Sequence, residues 1–331
     1  MPQPAAAQDE VAAFYKGRTI TLVVGASSGG GLDLFGRLVA RHIGQHIPGN
    51  PGIVVTNQPG AGSVVAAVNL YTLAPKDGTQ MAIVLPGAFT QQLFNPTIGG
   101  GRQTFDPAKF TFIGNGNAES PICVMRTDSP VKTFADVFNH EIAMGTPGGG
   151  STVHEHTVVT RQVLGAKFKV VTGYPGTREI VLAAQRGEVQ GICGFSLATT
   201  KLLLPGSLDG SQGFKIVVQN GIASHPELKQ AGVPLAIGFA KSDDDRRLLE
   251  LFYTLGKFSR AFIMPPGVPQ DRASAIRAAF IAAIRSAPFQ AEADKMHAEA
   301  EPQTGAELEA MIAKIYATPR NLIDRVHAAM K

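Results

Sequence analysis

Two glycine-rich stretches constrain what this chain can fold into. Gly25-Ala26-Ser27-Ser28-Gly29-Gly30-Gly31 and Gly145-Thr146-Pro147-Gly148-Gly149-Gly150-Ser151-Thr152 each follow a short apolar run and lead into residues with helical periodicity. Before the first, Thr19-Ile20-Thr21-Leu22-Val23-Val24 is apolar and β-branched, as a buried strand is. After it, Leu32, Phe35, Val39, Ile43 and Ile47 recur at helical spacing. Before the second, Ile142-Ala143-Met144 reads as a short strand, and residues 151–164 read as the helix that follows. A strand, a flexible turn and a helix, repeated, make a βαβ pattern, so the fold class is α/β, with mostly parallel sheets flanked by helices.

The rest of the chain extends the pattern. Residues 53–55 and 81–85 read as strands, with the turn Asn57-Gln58-Pro59-Gly60-Ala61-Gly62 and a helix over 64–73 between them. Residues 168–171 and 189–193 read as strands around a helix over 180–186. Ile216-Val217-Val218 reads as a strand returning to the first half, and the tail from Asp271 as helices divided by Pro288 and Pro302. This gives two lobes, residues 1–104 with 222–331, and an inserted lobe over 105–221. With 37 glycines and 22 prolines in 331 residues, the chain carries well above the roughly 12% of average usage, as many strand–helix junctions require.

Glycine-rich loops at strand ends suit ligand capture. A loop entering a helix presents unpaired N–H groups and the positive end of the helix dipole, and glycine lets those amides face a ligand. A carboxylate fits such a site. Neither loop is a P-loop, since neither carries lysine after its glycines. Thr152 with Glu155 matches a capping box. Asp33 falls in the first turn of its helix, where it accepts backbone N–H groups but sets negative charge beside the proposed anion site; this favours a modest carboxylate over a polyphosphate.

Other chemistries are weaker. The formal net charge is +4 with no run of Lys or Arg, which argues against nucleic acid. His154 and His156, two apart on a helix, cannot share one metal, so no metal site is expected. No Gly-x-Ser-x-Gly elbow surrounds Ser27, Ser28 or Ser151, and no catalytic set emerges. The Gly-x-x-x-Gly-x-Gly spacing of the first loop, with Tyr253 and Lys257, resembles a short-chain dehydrogenase, but the pair lies too far from the loop; an NAD(P)-dependent reductase is the alternative reading. Cys123 and Cys193 sit in apolar, strand-like runs, and buried free thiols are favoured over a disulfide. Ala5-Ala6-Ala7 looks like the small-residue end of a processed signal peptide.

Taken in order along the chain, the motifs resemble the substrate-binding (Bug) receptors of tripartite tricarboxylate transporters. Gly29-Gly30-Gly31-Leu32-Asp33 resembles the family's Gly-Gly-Gly-x-Asp loop, residues 57–62 its Asn-x-Pro-Gly-Ala-Gly turn, and Ala74-Pro75-Lys76-Asp77-Gly78 its Ala-x-Pro-Asp-Gly segment. Gly176-Thr177 with Arg186-Gly187-Glu188-Val189, and Pro265-Pro266-Gly267-Val268-Pro269, resemble later segments. The resemblance implies a two-lobed periplasmic-binding-protein fold (type II) with a hinge of crossing strands. It implies no cofactor and no enzyme activity, but a periplasmic, monomeric receptor that hands a small carboxylate to the membrane subunits of a transporter. A ligand-sensing role for a membrane kinase is an alternative. The carboxylate site it implies involves Ala26, Ser27, Ser28, Gly29, Gly30, Gly31 and Asp33 in one lobe, with Ala88, Phe89 and Thr90 as a third contact region. In the other lobe it involves Thr146, Gly149, Gly150, Ser151 and Thr152, closed over by Tyr174, Thr177, Arg178, Phe195 and Ser196. Phe14, Phe89, Tyr174 and Phe195 can wall the ligand body or pack in the core, and Arg178 can meet a second carboxylate or solvent.

Overall fold

A computed structural model of the chain describes residues 5–94, 105–117, 121–148, 151–296, 298 and 300–329. Its strands, in chain order, are β1 (Thr19–Val24), β2 (Gly52–Asn57), β3 (Gln80–Val84), β4 (Thr111–Asn115), β5 (Pro121–Arg126), β6 (Ile142–Gly145), β7 (Phe168–Val171), β8 (Gly191–Ser196), β9 (Phe214–Gln219), β10 (Ala261–Met264) and β11 (Gln303–Thr304). They form two sheets, β11-β4-β10-β3-β1-β2 and β7-β6-β8-β5-β9. The chain divides into two compact units, one of residues 1–118 and 255–318, the other of residues 119–254 and 319–331.

The runs β2-β1-β3 and β7-β6-β8 are parallel, as the strand–turn–helix pattern requires. The remaining pairs are antiparallel: β10 with β3 and β4, β11 with β4, and β5 with β8 and β9. Each sheet is therefore mixed rather than mostly parallel. The difference arises where strands are joined by long excursions instead of one helical crossover. Residues 214–219 do not return to the first unit; they pair with β5 at the edge of the second sheet. Residues 105–118 group with the first unit because β4 pairs with β10 and β11, while 222–254 and 319–331 group with the second. These limits differ from the 104/105 and 221/222 boundaries read from sequence.

In the first unit the helices Gly31–Ile43 and Gln270–Arg285 bury Phe35, Leu38, Ile276 and Phe280 against Leu22, Val24, Ile83 and Phe262. The rings of Phe262 and Phe280 meet at 4.9 Å between centroids. In the second unit Ile122, Val124, Ile192 and Phe195 pack with Ile180, Val181, Ala183 and Ala184 of the helix Thr177–Gln185. Cys123 lies opposite Cys193 in the β5–β8 register, and the two are joined as a disulfide, not buried as free thiols. The pairing depends on a strand register across 70 residues of sequence, which no local pattern reveals.

Gly305 opens the helix Gly305–Tyr316, whose capping box is Thr304 with Glu307. A Cβ there would lie 2.1 Å from the carbonyl oxygen of Phe112 in β4, so the helix start is pressed onto the strand backbone. Gly305→Ala is expected to cost about 1–3 kcal/mol, the range of core overpacking. A urea midpoint equal to that of the parent protein would show that the contact is soft.

Candidate functional site

Each unit contains one of the glycine-rich loops, at the carboxyl end of a parallel strand, where α/β sheets place ligands. In the first unit the loop after β1 is fixed by a buried carboxylate. Asp33, 1% exposed, accepts from the Gly29 N–H at 2.8 Å, the Arg37 Nε at 3.0 Å and the Asn57 Nδ2 at 2.8 Å. The Ser28 hydroxyl lies 3.5 Å from it. Asn57 ties the network to the end of β2, donating to the Ala26 carbonyl at 3.0 Å and accepting from Arg37 Nη2 at 2.9 Å. Burial alone raises the Asp33 pKa, but the hydrogen bonds from Arg37, Gly29 and Asn57 outweigh it and hold the carboxyl at about 2. Asp33 is thus occupied within its own loop, and Arg37 balances its charge. Ser27 to Gly31 are exposed, with Gly31 opening the helix Gly31–Ile43, whose first N–H groups have no intrahelical partner.

Ala88, Phe89 and Phe14, also expected at a site in this unit, take other roles. Ala88 and Phe89 are at most 1% exposed in the helix Gly87–Phe94, and the Phe89 ring packs on Phe112 and Phe258 at 5.5 and 5.4 Å, so it is core rather than a wall. The Phe89 carbonyl accepts from the Tyr316 hydroxyl at 2.8 Å. The side chain of Thr90 lies outside the described residues. Phe14 sits between the guanidiniums of Arg18 and Arg272, beside Tyr15, whose hydroxyl reaches the Gly78 carbonyl. Arg18 and Gly78 precede β1 and β3, so Phe14 belongs to the amino end of the sheet, opposite the glycine-rich loop.

In the second unit a cavity of about 240 Å³ gathers Ser151, Thr152, Thr177, Phe195 and Ser196, five of the residues expected at a site, with Pro147, Val153, Gly194 and Thr199. No lining side chain is charged. Thr152 and Thr177 open the helices Thr152–Val159 and Thr177–Gln185. Ser151, not Thr152, caps the first of these, its hydroxyl accepting from the His154 N–H at 3.2 Å and donating to the Gly148 carbonyl at 2.8 Å. Glu155 therefore falls one position beyond a capping box. Ser196 accepts from the Thr199 N–H and donates to its hydroxyl. Gly194, at φ +84°, lets the backbone of Thr152 and Val153 approach β8, since a Cβ there would lie 2.6 Å from the Thr152 carbonyl oxygen. Phe195 is 2% exposed and shared between cavity and core.

Thr146 is buried and its hydroxyl meets His154 Nδ1 at 3.0 Å. Tyr174 is half-buried against the core of this unit, while Arg178 is exposed and does not line the cavity. Gly149 and Gly150 lie outside the described residues. His154 and His156 do diverge: His156 is buried under the rings of Phe252 and Tyr253. Tyr253 is 4% exposed and stacks on His156, and its helix Asp243–Gly256 ends before Lys257. The Tyr-x-x-x-Lys spacing is therefore not one helical face. Sequence reading missed Arg37, Gly194 and Thr199 and took Asn57 only as part of a turn; besides that turn motif, only the glycine carried a signal, inside a strand run.

With these sites in view, the fold can be set beside those of solved proteins. The chain has the fold of a crystallised TctC solute-binding protein from Polaromonas, with a TM-score of 0.69 at 20% identity over 94% of this chain and 99% of that one. It also matches an R. palustris protein solved with adipate (TM-score 0.65, 20% identity, 94% and 98% covered). A third match is MatC from Rhodopseudomonas palustris with bound malate (TM-score 0.62, 18% identity, 95% and 99% covered). This is a periplasmic-binding-protein fold of two mixed sheets flanked by helices. In sequence, the chain is 29% identical over 182 residues to a UPF0065 protein in the gbd 5' region of Cupriavidus necator, covering 53% of each chain. The chain spans about half the length of the curated relatives it matches. No family model matches it. In sequence the chain is thus similar to UPF0065 proteins over about half its length, and in fold to a TctC solute-binding protein.

Two predictions follow from the site's electrostatics. Asp33, depressed from 3.8 to about 2, contributes stability that is present above pH 4 and lost as pH falls through 2. Asp33→Asn is expected to cost about 1–2 kcal/mol at pH 7 and much less at pH 2.5; an equal loss at both, in urea titrations, would exclude the charge as its cause. Burial raises Glu155 from 4.5 to about 7 and lowers His156 from 6.5 to about 3. The folded Glu155 holds the extra proton between pH 4.5 and 7, so its contribution falls with rising pH there. The unfolded His156 holds it between pH 3 and 6.5, so its contribution rises. Glu155→Gln is expected to add about 1–3 kcal/mol more stability at pH 8 than at pH 4.5, readable from unfolding midpoints at the two pH values.

Proposed function

We propose that this chain is an extracytoplasmic solute-binding receptor that captures a small di-/tricarboxylate or aromatic acid and delivers it to a tripartite membrane transporter. The observation that carries the reading is the uncharged, hydroxyl-lined cavity of the second unit, where the starts of the helices Thr152–Val159 and Thr177–Gln185 meet. Amides and hydroxyls at helix starts suit a carboxylate, and the fold is shared with proteins solved with adipate and malate. The exposed loop of residues 27–31 supplies a second set of amides, held in shape by Asp33. The transporter's membrane subunits then recognise the ligand-bound form in the periplasm. Ser27, Ser28, Gly29, Gly30, Gly31, Ser151, Thr152, Thr177 and Ser196 are the contacts of this reading. Asp33 serves them from behind, and Phe14 and Phe89 fall away from them.

A thermal-shift screen of mono-, di- and tricarboxylates, aromatic acids and NAD(P)H tests it. A binding acid at a hundred times its Kd stabilises the folded state by about 2.7 kcal/mol, with a saturable rise in Tm. Stabilisation by NADPH and by no acid would overturn the receptor reading in favour of a reductase.

A further inference from the structure

Ser63 stands directly before the helix Val64–Thr72, where a serine ordinarily caps the helix with its hydroxyl. It does not cap here. The hydroxyl donates to the Gly25 carbonyl at 2.8 Å and accepts from the Leu85 N–H at 3.0 Å. Gly25 opens the glycine-rich loop after β1, and Leu85 follows β3 and leads into the helix Gly87–Phe94. Ser63 itself comes from the turn after β2. In the sheet β1 lies between β2 and β3, so one hydroxyl spans the carboxyl ends of all three parallel strands.

The backbone shows that this bridge is imposed. Gly60, Ala61, Gly62 and Ser63 have φ of 143°, 46°, 60° and 75° in succession, and neither Ala61 nor Ser63 is a residue that favours that region. Glycine at 63 would adopt the same conformation freely. The turn is also wedged between its neighbours. A Cβ on Gly25 would lie 2.5 Å from the Ser63 Oγ, and one on Gly87 2.8 Å from the Gly62 carbonyl oxygen. Ser63 is 1% exposed, so its two hydrogen bonds have no competition from water.

We infer that Ser63 is a positioning residue that locks the loops after β1 and β3 in one fixed relation, setting the amides of the first unit's glycine-rich loop for a ligand. The inference rests on the receptor reading for its ligand arm and on the loops alone for its structural arm. It touches no ligand itself; it acts through Gly25 and Leu85.

The test uses Ser63→Gly, which removes hydroxyl and backbone strain together, and Ser63→Ala, which removes the hydroxyl and keeps the strain. Amide exchange of the ligand-free proteins, followed by mass spectrometry, is expected to quicken in both variants over residues 25–31 and 85–89 and to stay unchanged in the second unit. Affinity for malate and adipate, measured by calorimetry, is expected to fall at least tenfold in both variants, although Ser63→Gly unfolds at higher urea than Ser63→Ala. A merely structural role would instead make affinity follow stability. Exchange equal to that of the parent protein, or a Ser63→Gly protein that binds as the parent does, overturns the inference. If the parent protein binds neither acid and no acid of the wider screen, the receptor reading fails, and exchange alone decides whether Ser63 couples the loops.

Discussion

The first unit depends on a buried carboxylate whose donors all come from the structure it organises. Asp33 holds the Gly29 amide, the Arg37 guanidinium and the Asn57 amide at once, and Asn57 in turn holds the Ala26 carbonyl. An ionised carboxyl buried without such partners is strongly disfavoured, so the loop cannot relax without exposing or neutralising it. This gives an exposed, glycine-rich loop a defined shape. It also settles the tension visible in the sequence, where a negative charge seemed to face the place an anion would occupy. The charge of Asp33 is turned inward and balanced by Arg37, which leaves the outward face of the loop to backbone amides.

The second unit reaches a comparable arrangement with neutral groups. Ser151 and Ser196 cap the helices that follow them, Thr146 meets His154, and Gly194 lets the start of one helix sit directly on β8. Hydroxyl caps orient helix starts without adding ionised groups. The adjacent Glu155 and His156 are held neutral near pH 6 by burial, and their opposing pH dependences nearly cancel between pH 4.5 and 6.5.

How far the sequence exposed all this varied with the kind of signal. Parallel strands followed by glycine turns were legible, and β1 and β7 match their expected spans residue for residue, because a buried strand, a turn and a helix each leave a local pattern. The antiparallel strands β4, β10 and β11 were not, since short apolar runs between irregular segments lack any period that separates them from core loops. The partner of β9 and the Cys123–Cys193 link were hidden for a related reason: both depend on which strand lies beside β5, a choice made by the whole sheet. Among the expected site residues, the hydroxyls and glycines of the two glycine-rich loops stood out by position, while Thr177 and Ser196 came only through the family resemblance. The aromatics were not separable, because a buried Phe89 and a ligand-facing ring look alike in sequence. Ser63 was hidden most completely, since a serine before a helix reads as a cap.

On the proposed receptor reading, a cavity lined by hydroxyls, helix starts and no ionised side chain would recognise an anion differently from one built around arginine. A guanidinium also attracts a carboxylate over several ångströms through its net charge, whereas dipoles at a helix start act only within the first turn. Discrimination then rests on the position of each amide and hydroxyl to within a fraction of an ångström, and little on net charge. Such a site demands a rigid scaffold, because a loop that wanders loses its hold on the ligand altogether. In the first unit the buried Asp33 network and the strained bridge at Ser63, and in the second the glycine-allowed contact at Gly194, each hold a loop at a strand end in a defined shape.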